Sequence, residues 1–599
     1  MQKNSEYNSN RADRKAAGVF YTPIHIVDYI LKQTLAKHDV VDEPNPKILD
    51  PACGTGNFLV AAYELLLAKF TDKLSALQRQ YAEQQYIIKY GETEASLDGY
   101  SYWCQENLPY HIICHCLYGA DMDSWAVEKA QTRLKEKGQE QLPDGVKPNL
   151  VICDSLIKWE EEINLINSKD NATGMLAAFW SQKYNYIIGN PPYISFGLNR
   201  VSKMPAVQAQ YLRAHYPHSA QYKLSYYALF FERGIAALKP GGYLGFITPD
   251  SYLLGRYYSK IREYMLAVCD IKELTLIDSP VFGGVMVGIP VITVLQKKQA
   301  GLSSDAATVT ANKLNSRAAS VAAYQYKQEY FSQQVYKRFR LFFHPRDKAI
   351  IDKIEQAPYS FKEFTKIRTG MRSLTTQADI KSKSKHSESW RQGLVSSSQV
   401  LPFALIYQGD WLDVNPAKLN KGGWDAEVMA IPKIFLRQTG DRLVAAVDRS
   451  GLYHLNNIHS LAIVKKQASL EYLVCILNSR MMNFYYQTVT LEKGRSMAQV
   501  DIETVEKMPL IIDYQYGDSL IKLGEHLERL SCRLYRQTEA PKTSGELFAE
   551  FKRTYKELNW LVYRIYGLTE SDIEHIEQAD KQGESILIMT NKRQRGRRD

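Results

Sequence analysis

The stretch Tyr184-Asn185-Tyr186-Ile187-Ile188-Gly189-Asn190-Pro191-Pro192-Tyr193 constrains this chain more than any other. An apolar run ends at a glycine, and a carboxamide, two prolines and an aromatic ring follow. Such a run reads as a buried parallel strand. Pro191 and Pro192 stop it, and proline disfavours helix in the residue before it, so Asn190 is held at the strand's carboxyl end. In open α/β sheets ligands bind at that edge. Asn190 Oδ1 and the Pro191 carbonyl both accept hydrogen bonds without carrying charge. Together they suit the two N–H groups of an exocyclic amine on a flat ring, and Tyr193 offers a face on which that ring can stack. A tight Asn-Pro-Pro turn beside a core tyrosine has the same sequence, so the rest of the chain decides between the two readings.

The 599 residues suggest two to four domains with ample core. Apolar content of 45% and charged content of 23% are those of a globular protein. There is no N-terminal signal pattern and no apolar run of about 18 residues, which speaks against secretion and membrane spanning. Eight scattered cysteines suit a reducing cytoplasm. The net charge of +10 is permissive for nucleic acid without being diagnostic. The basic end, Lys592-Arg593-Gln594-Arg595-Gly596-Arg597-Arg598, reads equally as a phosphate contact or a solubilising tail.

Three further strand ends precede the opening motif. Lys47-Ile48-Leu49-Asp50-Pro51-Ala52-Cys53-Gly54-Thr55-Gly56-Asn57-Phe58 reads as a short strand ending in an acid, then a small-residue loop and a helix start. Its glycines let backbone approach a ligand closely. The spacing is not G-x-G-x-x-G and no phosphate-binding lysine follows, which argues against a dinucleotide or a nucleoside triphosphate. An acid ahead of such a loop fits S-adenosylmethionine, whose amino-acid end carries an ammonium group. Leu117-Tyr118-Gly119-Ala120-Asp121-Met122 places Asp121 where it can accept the ribose hydroxyls. Leu150-Val151-Ile152-Cys153-Asp154-Ser155-Leu156 places Asp154 where it can accept the adenine amine of the cofactor. Taken singly, each acid serves equally well as a helix cap or a solvated loop residue. Upstream, Gly18-Val19-Phe20-Tyr21-Thr22-Pro23 reads as a helix start, with Thr22 as N-cap and Pro23 in the first helical position. Residues 60–117 read as helical. Cys104, His111, Cys114 and Cys116 fall there, but their spacing matches no standard zinc site, and no metal is expected.

In this order, the motifs resemble those of the N6-adenine DNA methyltransferases of the gamma motif order, enzymes of type II restriction–modification systems or solitary bacterial methylases. The resemblance covers the first half of the chain closely and the second half loosely. It implies an α/β fold: a Rossmann-like class I S-adenosylmethionine-dependent methyltransferase domain, followed by an α+β target-recognition domain. It implies S-adenosylmethionine as cofactor, double-stranded DNA as substrate, and methylation of a flipped-out adenine at N6. Thr22, flanked by Tyr21 and Pro23, would meet the methionine carboxylate. Asp50, Pro51, Ala52, Cys53, Gly54, Asn57 and Phe58 would form the methionine pocket. Asp121 and Met122 would hold the ribose end, and Asp154, Ser155 and Leu156 the adenine end. Asn190, Pro191, Pro192 and Tyr193 would grip and stack the target base, with Phe282 on its second face; a core phenylalanine at a hairpin fits Phe282 as well. The Asn-Pro-Pro-Tyr motif also occurs in RNA-guanine and protein-glutamine methyltransferases, and a modification subunit of a multi-subunit restriction complex is a further alternative. No Pro-Cys pair of the cytosine-C5 kind occurs.

The expected organisation is a disordered 1–16, a catalytic domain over 17–299, a linker rich in Ala, Ser, Thr and Asn over 300–325, a target-recognition domain with C-terminal helices over 326–580, and a basic tail over 581–599. Within the recognition domain Arg368, Arg372, Arg437, Gln438, Lys493 and Arg495 are the candidates to reach DNA, arginine reading guanine and glutamine reading adenine. Each taken alone reads equally as a phosphate contact or a surface residue. Seventeen residues ahead of Gly18 are too few for a fused nuclease, so any endonuclease partner is expected to be a separate chain.

Overall fold

A computed structural model describes residues 22–580 apart from 91–92, 139–141, 143–144, 163–170, 197–203, 222–223, 278–287, 300–306, 421–428, 466, 494, 496–497 and 537–540. The chain divides into two units, Met1–Phe343 and His344–Asp599.

The first unit is built on a nine-stranded sheet. Its strands are β1 (Ile48–Asp50), β2 (Leu117–Asp121), β3 (Asn149–Ile152), β4 (Tyr184–Gly189), β5 (Leu238–Pro249), β6 (Cys269–Ile277), β7 (Pro290–Lys297), β8 (Thr308–Leu314) and β9 (Ser320–Lys327), in the order β9-β8-β6-β7-β5-β4-β1-β2-β3. β3, β2, β1, β4 and β5 are parallel, and β7 is inserted antiparallel beside β5. From β1 the chain moves outward through β2 and β3, then crosses back to place β4 on the other flank of β1. The loops after β1 and β4 therefore diverge, which opens a crevice at the carboxyl edge. All three residues of β1 are buried, and so are five of the six in β4, the pattern of strands covered on both faces.

Helices cover those faces: α1 (Ile24–Gln33), α2 (Asn57–Gln80), α3 (Ser124–Gly138), α4 (Tyr226–Ala237) and α5 (Ser259–Val268). α1 buries Ile26, Val27, Ile30 and Leu31, a stripe at helical spacing. Its Ile30 packs so closely on β5 that a side chain at Gly245 would meet its Cγ2 at 2.7 Å.

Three expectations are corrected here. Residues 308–327 are not a linker but the strands β8 and β9, and the first unit runs to Phe343. β9 lies at the sheet edge with most of its residues exposed, so it carries the polar composition of a connection. The helical reading of 60–117 holds to Gln80 and again in the short helical segments Gly99–Tyr102, Leu108–His111 and Ile112–Cys116, but not between them. An antiparallel hairpin, Gln85–Tyr90 with Thr93–Asp98, follows Gln80, and its Tyr86 stacks on Tyr102 with centroids 4.1 Å apart. Helix α1 begins at Ile24 with Pro23, not Thr22, as the cap residue; the Pro23 carbonyl accepts from the amides of Ile26 and Val27.

The second unit contains a sheet of β10 (Thr365–Thr369), β11 (Lys433–Arg437), β12 (Ala445–Asp448) and β13 (Ile458–Ile463), in the order β10-β13-β11-β12. β11 and β12 pair as an antiparallel hairpin. Two aromatic-rich helices, Leu470–Asn478 and Arg480–Thr490, meet at Ser479, which ends the first and whose side chain caps the second. No helix among the described residues is long and apolar enough to cross a membrane.

One ion pair anchors this sheet. Lys433 Nζ is 2.7 Å from Asp448 Oδ2, both side chains are buried, and the ammonium also donates to the Met429 carbonyl at 2.7 Å. Removing one member strands the other charge, so Asp448→Ala should destabilise the unit by about 3–5 kcal/mol. Urea unfolding followed by tryptophan fluorescence checks this, and a loss below about 1 kcal/mol contradicts it.

Candidate functional site

The carboxyl edge of β1, β2 and β3 is laced into one pocket rim. Asp50, 1% exposed, accepts the Ala52 amide through Oδ1 at 3.1 Å. The loop turns through Gly54 and Gly56, at φ +49° and +83°, values that favour glycine. It is tied to β2 twice: the Cys53 amide donates to the Ala120 carbonyl at 3.0 Å and the Gly54 amide to Asp121 Oδ2 at 2.8 Å. The loop after β3 joins the same rim. The Cys153 amide donates to the Asp121 carbonyl at 2.9 Å, Ser155 Oγ donates to the Pro51 carbonyl at 2.6 Å, and Asp154 Oδ1 accepts the Leu156 amide at 2.9 Å. Thr22, buried, enters through its carbonyl, which accepts from Asn57 Nδ2 at 3.3 Å.

Burial pushes the Asp50 carboxyl up to about 8, opposed by the Ala52 amide and reinforced by the charge of Asp121. Burial likewise raises Asp121 and Asp154, each opposed first by a backbone amide, that of Asp123 or Leu156. Beside these acids two large apolar side chains stand open to solvent: Met122 at 68% exposure and Ile152, paired across the strands with Asp121, at 51%. Three acids beside two exposed apolar side chains offer partners for the ammonium, the ribose diol and the flat adenine ring of S-adenosylmethionine, so the residues present fit that group.

The β4 motif lies against this rim. A Cβ built on Gly189 would stand 2.6 Å from Asp50 Oδ1, so the acid of β1 occupies the space that any side chain before Asn190 would need. The register Ile48↔Tyr186, Leu49↔Ile187 fixes that contact. Asn190 is half-buried, while Pro191 and Tyr193 are buried. The Tyr193 hydroxyl donates to the Ile247 carbonyl of β5 at 3.2 Å, which ties the loop to the neighbouring strand.

Tyr21 and Phe282 lie outside the described residues. In the second unit the sheet brings Arg368 and Arg437 to opposite flanks of β13, opposite Ser460 and Ile458. Arg372 is exposed just beyond β10. Gln438 is half-buried, with its backbone bonded to Asn457 and Val500. Several of these candidates have intrachain partners. Arg368 Nη1 donates to the Ile367 carbonyl at 2.9 Å, Arg437 Nε to the Val400 carbonyl at 2.6 Å, Lys493 Nζ to the Ala579 carbonyl at 2.9 Å, and Arg495 Nη1 to Glu492 at 3.0 Å. In the first unit His111 is buried, with Nδ1 at 2.8 Å from the Tyr102 hydroxyl and Nε2 at 2.7 Å from the Pro44 carbonyl.

Sequence reasoning missed Arg133 and Arg233. Arg133 Nη1 donates to the Thr55 carbonyl at 2.6 Å and to Asn57 Oδ1 at 2.8 Å, pinning the far side of the glycine loop. Arg233 holds the loop after β3. Its signal was available: Glu232 and Arg233 are the only charged residues of the apolar helix α4.

Comparison with known proteins agrees with this geometry. Family models match in three places: N-6 DNA Methylase at residues 5–96, Eco57I restriction-modification methylase at 115–282, and TaqI-like C-terminal specificity domain at 394–510. The chain is 25% identical over 272 residues to the Type II restriction enzyme and methyltransferase RM.Eco57I of Escherichia coli, covering 41% of this chain and 24% of that one. It is 29% identical over 136 residues to the Type II methyltransferase M.PaeR7I of Pseudomonas aeruginosa, covering 21% and 23%. It thus matches about a quarter of each relative's length. The fold resembles that of the Type IIL restriction-modification enzyme MmeI solved with DNA, at a TM-score of 0.55 and 12% identity over 97% of this chain and 78% of that one. The DrdV–DNA complex gives 0.54 at 11% identity over 89% and 59%.

The strand order, with an acid at the ends of β1, β2 and β3 and Asn190 after β4, is that of a class I S-adenosylmethionine-dependent methyltransferase domain, and the N-6 DNA Methylase match agrees with S-adenosylmethionine as methyl donor. Within that class the chain resembles the N6-adenine DNA methyltransferases, whose family models match separate stretches of its first half, and residues 394–510 match a TaqI-like C-terminal specificity domain.

Proposed function

We propose that this chain methylates N6 of a flipped-out adenine in duplex DNA. The packing of Asp50 against Gly189 carries the reading, because it sets the cofactor rim and the amine-accepting Asn190 on adjacent strands in fixed register. Asp50 meets the methionine ammonium and Thr22 its carboxylate. Asp121 and Met122 take the ribose end, and Asp154 with Ser155 the adenine end. When bound, S-adenosylmethionine supplies an electrophilic methyl group. Asn190 Oδ1 and the Pro191 carbonyl accept the two N6 hydrogens, turning the amine lone pair towards the methyl and holding the positive charge that develops on nitrogen. Tyr193 stacks on the everted base, offsetting the few kcal/mol that extrusion costs. Arg368, Arg372, Arg437, Gln438, Lys493 and Arg495 are the recognition-unit candidates to meet DNA, of which Arg372 is exposed just beyond β10, and in a restriction–modification setting a separate endonuclease is the expected partner.

Transfer of labelled methyl from S-adenosylmethionine to duplex DNA, RNA and protein extract, each digested and resolved, tests this. Label in N6-methyladenine of duplex DNA alone is expected; label only in RNA or protein overturns the reading.

The buried acid also sets a pH dependence. With its carboxyl at about 8, Asp50 is mostly protonated at neutral pH in the free protein, yet it must be charged to pair with an ammonium. Affinity for S-adenosylhomocysteine should therefore climb between pH 6 and 8, by up to about tenfold per unit. The free protein should move the other way. A carboxyl raised from 3.8 contributes stability that is full below that value and is lost as pH rises through about 8. Calorimetric titration and thermal unfolding across this range measure both effects, Asp50→Asn should flatten both, and a flat wild-type profile contradicts the assignment.

A further inference from the structure

Arg233, 2% exposed on α4, spends its guanidinium on a loop. Nε donates to the Ser155 carbonyl at 3.0 Å, Nη2 to the Ile157 carbonyl at 3.1 Å and to Glu160 Oε2 at 2.9 Å, and Nη1 pairs with the other Glu160 oxygen. One face of the fork lies 4.2 Å from the centre of the Trp180 ring. A buried cation is tolerated only when its donors are satisfied, and here two of the acceptors are backbone carbonyls on either side of Leu156. The loop thus hangs between two anchors, Arg233 on one side and the Ser155–Pro51 bond on the other, and Asp154 sits beside them with its own Oδ1 on the Leu156 amide.

We propose that Arg233 is a positioning residue which, through this loop, sets Asp154 to accept the cofactor's 6-amino group and so determines selectivity for an unsubstituted adenine. The proposal rests on the cofactor placement given above. Its chemistry is simple: an amine with N–H bonds to give satisfies the Asp154 carboxylate, whereas a dimethylamino group leaves it desolvated and unmet. Arg233→Lys keeps the charge, but a single ammonium cannot span two carbonyls and a bidentate carboxylate. Glu160→Gln is the milder variant, loosening the clamp from its more exposed end.

The test uses the full chain and two probes, S-adenosylhomocysteine and its N6,N6-dimethyl analogue, titrated calorimetrically. The wild type should prefer the first by about tenfold or more. Asp154→Ala and Arg233→Lys should each bring that ratio towards one, with the double variant going no further than either alone. Glu160→Gln should fall between, which keeps the test open if Arg233→Lys does not fold. A purely structural role weakens both probes equally and leaves the ratio intact; that result, or a wild-type ratio near one, overturns the proposal. A wild type that binds neither probe instead overturns the cofactor placement.

Discussion

Replacing Asn190 with alanine is expected to lower methyl transfer by about a thousandfold while S-adenosylhomocysteine still binds within about threefold of wild type. Asn190 begins the loop, half-buried, and Pro191 and Pro192 restrict the backbone on its far side. Its side-chain oxygen is therefore pre-set, and a preorganised acceptor costs no reorganisation when charge develops on the amine. Alanine removes that acceptor and leaves the Pro191 carbonyl to hold the amine alone. The cofactor rim is built from Asp50, Asp121, Asp154 and the bonds among their loops, none of which passes through the Asn190 side chain. The two readouts should therefore separate: single-turnover methylation collapses and cofactor titration does not. Asn190→Asp keeps an acceptor in place and should retain more activity than alanine. Near-normal turnover in Asn190→Ala refutes the site.

The parts of this site legible in sequence share one physical origin. A parallel strand covered on both faces must be apolar throughout, so its end is marked by the first polar residue. Asp50, Asp121, Asp154 and Asn190 announce themselves in this way, and the structure brings all four strand ends to one edge. The pattern fails where burial is one-sided or absent. β9 is an exposed edge strand, and its composition cannot be told from that of a connection. The hairpin at 85–98 leaves most of its residues exposed and packs through a few of them, such as Tyr86 on Tyr102, so no clear apolar alternation reports it. What the clamps hold was hidden for another reason, even where a charge in the apolar helix α4 marks Arg233 itself. Arg133 and Arg233 act on backbone carbonyls 76 to 78 residues away, and a carbonyl has no sequence signature. The recognition unit is harder still. Arginine and glutamine read bases only where the fold leaves them free to reach, and Arg368, Arg437, Lys493 and Arg495 already hold partners in their own chain.

Gly189→Ala should damage both readouts at once, which distinguishes it from Asn190→Ala. The added methyl carbon would stand 2.6 Å from Asp50 Oδ1, inside any tolerable contact. Two responses are open. The strands can part, but β4 is locked to β1 by parallel pairing at Ile48↔Tyr186 and Leu49↔Ile187, and to β5 on its other flank. Or the Asp50 carboxylate can swing away, giving up its bond to the Ala52 amide and its aim at the ammonium. The second costs less, because it moves one side chain rather than a ladder. S-adenosylhomocysteine affinity should then fall about tenfold, equivalent to about 1.4 kcal/mol, and methyl transfer about a hundredfold as Asn190 and the methyl donor lose alignment. Because the harm passes through Asp50, combining Gly189→Ala with Asp50→Ala should cost little beyond Asp50→Ala alone in cofactor binding. A double variant whose losses simply add would show that glycine serves something other than room for that acid.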